Sequence, residues 1–147
     1  ETRQSAESID DILKIASHHI DNITIGRTDL SRSYFDEKIQ PDSKFIQDII
    51  ISLVQKVTAA GLSFTVGGSI SRDSIECFHS RPKEWLRQIT NIETRKVILP
   101  TNIMLKNEEA LKESIKFEEL YLHFKIGVEE LMISSDKERF AKLKDRL

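Results

Sequence analysis

The sequence predicts an α/β fold organised around a parallel sheet. Three observations point there. Short β-branched runs alternate with helical stripes, two of those runs end at glycine before a polar turn, and the stripes carry apolar residues at spacings of three and four. At 147 residues the chain has the length of one ordinary domain.

In chain order, Ser5 to Ala16 places Ile9, Ile12, Leu13 and Ala16 on one helical face, with Glu7, Asp10 and Asp11 early, where acids suit the helix dipole. Asn22-Ile23-Thr24-Ile25-Gly26 reads as a buried strand, and Arg27-Thr28-Asp29-Leu30-Ser31 as the polar loop after it. Pro41-Asp42-Ser43 opens the clearest helix. Its stripe of Phe45, Ile46, Ile49, Ile50, Leu53, Val54, Val57 and Ala60 ends at Gly61, the position of a C-cap glycine. Leu62 to Val66 is the second strand, stopped by Gly67-Gly68 before Ser69 to Ser74 starts another helix. Pro82 interrupts that helix, which restarts as Lys83 to Ile89. Arg95 to Leu99 is the third strand, stopped by Pro100. Asn107 is the N-cap expected for a helix through Met132, and Ser135-Asp136-Lys137-Glu138 has capping-box spacing ahead of a last helix carrying Phe140, Leu143 and Leu147. No linker or low-complexity tract divides the chain, so residues 1–147 read as one domain. The triplet Glu-Thr-Arg occurs at Glu1 and again at Glu93, too short to count as a repeat.

Composition excludes several classes. With 22 Lys+Arg against 24 Asp+Glu, interspersed, and a net charge of -2, there is no basic stripe to neutralise phosphates, so no nucleic-acid partner is expected. No apolar run approaches the ~20 residues that span a bilayer, so no membrane is expected either. Cys77 is the single cysteine, which forbids an internal disulfide, and no secretory signal precedes it. A reducing cytoplasm is the expected compartment.

Chemistry in parallel α/β folds gathers on loops at the carboxyl ends of strands. The loop Gly26 to Ser31 sets Asp29 three residues beyond a strand-terminal glycine, where it either caps the following turn or reaches a cation. The turn Gly67-Gly68-Ser69-Ile70-Ser71 sits at a helix start, either as a simple Ser-capped turn or as a cradle for a carboxylate or phosphate. His18 and His19 suit a helix end, and His79 and His123 have no Cys or His at ligand spacing. Cys77 and the Trp85, Leu86, Ile89 stripe read as core. The charged segment from Lys106 to Arg146 reads as a solvated face with pairs such as Glu138 and Lys142.

Four segments in order resemble the HpcH/HpaI aldolase and citrate lyase β-chain family. His19 through Ser31 is similar to its strand-six signature, an isoleucine-glycine-x-x-aspartate-leucine-serine run that follows an aspartate. Glu1-Thr2-Arg3, then Ile9 to Leu13, resembles the end of strand five. Ala60-Gly61-Leu62 through Gly68, and Ile92 through Val97, resemble strands seven and eight of a sugar-pathway aldolase branch, and Phe117 to Leu147 its C-terminal helices.

The resemblance implies the C-terminal portion of a (β/α)8 TIM barrel, from the end of strand five to strand eight, with additional C-terminal helices. It implies a carbon–carbon bond lyase or aldolase that acts on a pyruvate-type 2-oxo acid, or a related acyl substrate, through an enolate stabilised by magnesium or manganese. By position the metal falls to Glu1 and Asp29, and the substrate to Arg27 and to the turn Gly67, Gly68 and Ser69. Homo-oligomers are expected. The family's substrate arginine and histidine-centred base belong to its front half, which nothing here matches, and a barrel takes ~250 residues. The expectation is therefore a fragment, inactive by itself, whose catalytic base is unknown. The competing reading is a non-catalytic half-barrel module that works only by docking against a complementary chain.

Overall fold

Alternation along the strands decides how the sheet packs. The computed structural model describes residues 1–81 and 83–146. Strands β1 (Asn22–Gly26) and β2 (Ser63–Gly67) pair in parallel, with Asn22 opposite Ser63 and Gly26 opposite Gly67. Their odd and even positions differ in kind: Ile23, Ile25, Phe64 and Val66 point to one face, while Asn22, Thr24, Ser63 and Thr65 point to the other. The apolar face is covered by helices. The polar face keeps its own hydrogen bonds, Thr65 Oγ1 donating to Asn22 Oδ1 at 3.0 Å and Asn91 Nδ2 to Thr65 Oγ1 at 3.4 Å.

Helix α1 (Arg3–Glu7) and helix α2 (Ile9–Ala16) divide at Ser8 the single helix expected there, and α2 buries Ile9 and Leu13. Helix α3 (Arg27–Arg32) replaces the expected polar loop. Helix α4 (Lys44–Ala59) is capped by Ser43, whose hydroxyl accepts from Ile46 N, and Gly61 beyond its end has φ 79°. Its Ile46, Ile50, Val54 and Val57 are fully buried, each contributing about 1.5–3 kcal/mol of burial. Helix α5 (Arg72–His79) follows β2, with Ser71 and Ser74 in a reciprocal capping box. Helix α6 (Lys83–Leu86) buries Trp85 edge-on to Phe78, 6.0 Å between ring centroids. The interruption expected at Pro82 lies outside the described residues, as does the last apolar position, Leu147, and the helix expected from Lys83 to Ile89 ends at Leu86.

The barrel expectation is overturned by what comes next. In place of one strand from Arg95 to Leu99, the chain makes a hairpin. Strand β3 (Asn91–Thr94) runs parallel to β2, Arg95-Lys96 turns the chain, and strand β4 (Val97–Pro100) returns antiparallel, with Thr94 opposite Val97 and Asn91 opposite Pro100. The result is a small α/β domain with one mixed four-stranded sheet in the order β1-β2-β3-β4. A barrel needs a parallel strand at every step; here the parallel run stops at β3. In the segment read as the end of strand five, Thr2 is the N-cap of α1.

Helix α7 (Thr101–Lys106) leads to α8 (Glu108–Lys144), which runs unbroken for 37 residues through the division expected between Met132 and Ser135. Asn107 caps it as expected, its Oδ1 accepting from Glu109 N at 3.1 Å. No helix among the described residues is long and apolar enough to cross a membrane.

Candidate functional site

Two strands that end on glycine, side by side, leave a gap where side chains would otherwise stand. Gly26 and Gly67 are register partners. A Cβ on Gly26 would meet Glu1 Oε1 at 2.8 Å and Asp29 Oδ2 at 3.6 Å. A Cβ on Gly67 would meet Glu93 Cβ at 3.3 Å and Glu93 Oε2 at 3.5 Å. The bare backbone floor thus lies under three carboxylates, in a cavity of about 200 Å³ that Arg32 and Arg95 also line.

Each wall has a local cause. Glu1 is held by the cap of the following helix: its backbone nitrogen donates to Ser5 Oγ at 3.3 Å, and Thr2 and Ser5 cap reciprocally. Arg3 N then donates to Ser33 Oγ at 2.8 Å, tying this segment to the end of α3. Asp29 is the third residue of α3, one turn from Gly26, which is the N-cap and offers no side chain. The cap reading of Asp29 therefore gives way to a carboxylate that faces the cavity. Thr28 Oγ1 donates to Ser69 Oγ at 2.9 Å, linking the two strand-end loops across the cavity mouth.

Arg27 stands apart from the substrate-facing role expected for it. Its side chain is fully buried and does not line the cavity. Nε donates to Gly67 O at 3.1 Å, Nη2 to Gly68 O at 2.7 Å and to Ser74 Oγ at 3.1 Å, and Nη1 pairs with Asp42. The guanidinium carbon lies 5.2 Å from the centre of the Phe78 ring. Burial pushes the guanidinium down from its usual range, and Asp42 opposes that push. Arg27 thus clamps the first residue of α3 to the Gly67-Gly68 turn, a structural cation in place of a ligand group.

Two N–H groups at the start of α5 are taken by its own serines, Ser74 N donating to Ser71 Oγ and Ser71 N to Ser74 Oγ, both at 3.2 Å. Gly68 has φ 88°, and a Cβ there would lie 2.5 Å from Arg27 N and 2.7 Å from Thr28 N. Gly67, Gly68 and Ser69 line the cavity by being small.

The structure therefore brings together Glu1, Asp29, Gly67, Gly68 and Ser69, and leaves Arg27 outside. It adds Glu93, Arg95 and Arg32, none singled out from sequence. A signal for the first two existed: the triplet Glu-Thr-Arg sets Glu1 and Glu93 on the same cavity although 92 residues separate them. None of the four histidines lines it. Among the described residues no set of three His, Cys, Asp or Glu is close enough to share a metal ion. A cation here would have two carboxylates from the protein and would take its other oxygens from water or ligand.

No family model, no curated protein and no solved structure matches the chain.

Proposed function

We propose that Glu1 and Asp29 hold a divalent cation, magnesium or manganese, and that the protein is a carbon–carbon bond lyase or aldolase acting on a pyruvate-type 2-oxo acid or a related acyl substrate. The observation that supports this reading is the convergence of both carboxylates on the space a Gly26 side chain would fill. The donor set suits the ion, since hard cations of this kind take oxygen ligands and keep several positions for water and substrate.

Such a cation, when bound, supplies Lewis acidity that stabilises negative charge on the substrate's carbonyl oxygen as the neighbouring carbon–carbon bond breaks. The chain's own residues do the rest. Arg95 and Arg32 present planar donors to the substrate carboxylate. Gly67, Gly68 and Ser69 keep the floor low enough for a small acid to lie against backbone. Glu93, beside Gly67, is the lining carboxylate not committed to the cation and takes or returns the proton. Arg27 is a positioning residue, holding the Gly67-Gly68 turn against α3. In this reading the protein is cytoplasmic and works as a homo-oligomer.

Manganese titration followed by electron paramagnetic resonance, alongside release of pyruvate from 4-hydroxy-2-oxo acids, tests the reading. The expected result is one manganese site per chain, lost in Asp29→Ala. Manganese binding that is absent, or unchanged by that substitution, overturns it.

A further inference from the structure

Helix α8 poses a separate question. Its 37 residues extend about 55 Å, and the domain buries only Leu111 and Ser114 of them. Contacts with the β3–β4 hairpin reach as far as Glu118, 3.9 Å from Arg95, and Tyr121, whose ring lies 4.3 Å from Lys96 Nζ. From Leu122 onward all the described residues but half-buried Gly127 are exposed. Helices in proteins draw most of their stability from packing an apolar face.

That face exists. Phe117, Leu120, Tyr121, Phe124, Val128, Leu131 and Met132 recur at spacings of three and four, forming one uninterrupted seam. Phe124 is 72% and Leu131 74% exposed, which is unusual for such side chains. The charge along α8 is also divided. Glu108 to Glu130 holds seven acids against three lysines, while Leu131 to Lys144 holds two acids against four bases. Two copies side by side in the same direction would set acidic part against acidic part. Reversed, the acidic part of each copy meets the basic part of the other.

We infer that α8 is a dimerisation element, pairing antiparallel with α8 of a second copy of this chain along the Phe117 to Met132 seam. The seam is nearly symmetric about the level of Ile126, with Leu120 opposite Met132, Tyr121 opposite Leu131 and Phe124 opposite Val128, so a two-fold axis there superposes it on itself and sets Glu113 against Arg139, the self-complementarity that an isologous interface requires. This pairing stands independently of the metal site.

Sedimentation of the whole chain over a range of concentrations tests it. The expected species is a dimer, converted to monomer by Phe124→Glu with Leu131→Glu. Both positions are exposed in the single copy, so far-UV circular dichroism should retain the domain's signal. Direction is read in a Cys77→Ser background with a short bismaleimide. Phe124→Cys, near the axis, should cross-link to itself. Phe117→Cys should not, since reversed copies hold those ends roughly 20–30 Å apart. A wild-type monomer at every concentration, a dimer indifferent to the two glutamates, or equal cross-linking at both positions overturns the proposal. So does a monomer that associates through α8 with anionic lipid vesicles instead.

Discussion

Glu1 Oε1 lies 2.8 Å from the point at which a Gly26 side chain would begin, so the bareness of that glycine is what lets the glutamate stand beside Asp29. Glu1 precedes the Thr2 cap of α1, and Asp29 lies in α3. Gly26 is the position that joins them.

Gly26→Ala is expected to push the Glu1 carboxylate aside, since a methyl at 2.8 Å is closer than a real contact allows. The colliding atom ends a flexible, exposed side chain, so the fold should absorb the change with less than about 1 kcal/mol lost, as for most surface substitutions. Manganese affinity should fall tenfold or more, about 1.4 kcal/mol. Calorimetric titration beside thermal unfolding separates the two effects. Unchanged affinity would mean that Glu1 is not a ligand.

Asp29→Ala is expected to abolish magnesium- or manganese-dependent cleavage of a 2-oxo acid by the active assembly. A chelator should do the same to the wild type, reversibly on adding back metal. Residual activity within a few fold of wild type in steady-state assays would remove Asp29 from the reading.

Arg27→Met should be among the most damaging single changes. It leaves Gly67 O, Gly68 O and Asp42 without their buried donor, and breaking a buried pair from one side costs roughly 3–5 kcal/mol. Asp42→Asn should cost less, because the Asp42 side chain is 36% exposed and water replaces part of what is lost. Urea midpoints of both variants check the order. An Arg27→Met variant as stable as wild type would show that the clamp is dispensable.

Gly68→Ala and Gly61→Ala should separate conformational strain from collision. Both glycines have positive φ, 88° and 79°. A methyl at Gly61 meets nothing within 4 Å, so only the left-handed backbone is penalised, about 1–2 kcal/mol. At Gly68 the methyl would sit 2.5 Å from the Arg27 backbone nitrogen, which cannot move without displacing α3. Chemical denaturation should rank Gly68→Ala well below Gly61→Ala.

The elements with strong local signals were legible in advance. Helix α4 could be read from its Ser43 cap, its apolar stripe and Gly61, and β1 and β2 were read to within a residue, because propensity, periodicity and punctuation agree there. The hairpin was not legible. Arg95 and Lys96 are ordinary polar residues without the Asn-Gly or Asp-Gly signature of a two-residue turn, so Arg95 to Leu99 passed for one strand. The C-terminal helix was read as two because Ser135 to Glu138 has the right spacing for a cap, yet the chain stays helical through it. The inward turn of Arg27 is not legible either, because an arginine in a polar stretch gives no sign that Asp42 and two carbonyls await it from segments 15 to 41 residues away.

The sequence by itself determined the extents of β1, β2 and α4, that Gly26 and Gly67 close two strands, and that Asp29 follows the first of them. These are local facts, carried by φ restrictions, caps and apolar spacing within a few residues. The tertiary structure decided the rest: a mixed sheet in place of a barrel, Glu1 and Glu93 on the same cavity, Arg27 turned inward, and α8 left standing clear of its own domain. Each of those depends on which distant segments meet, and pairing between distant segments is governed by register and burial, which no short window of residues contains.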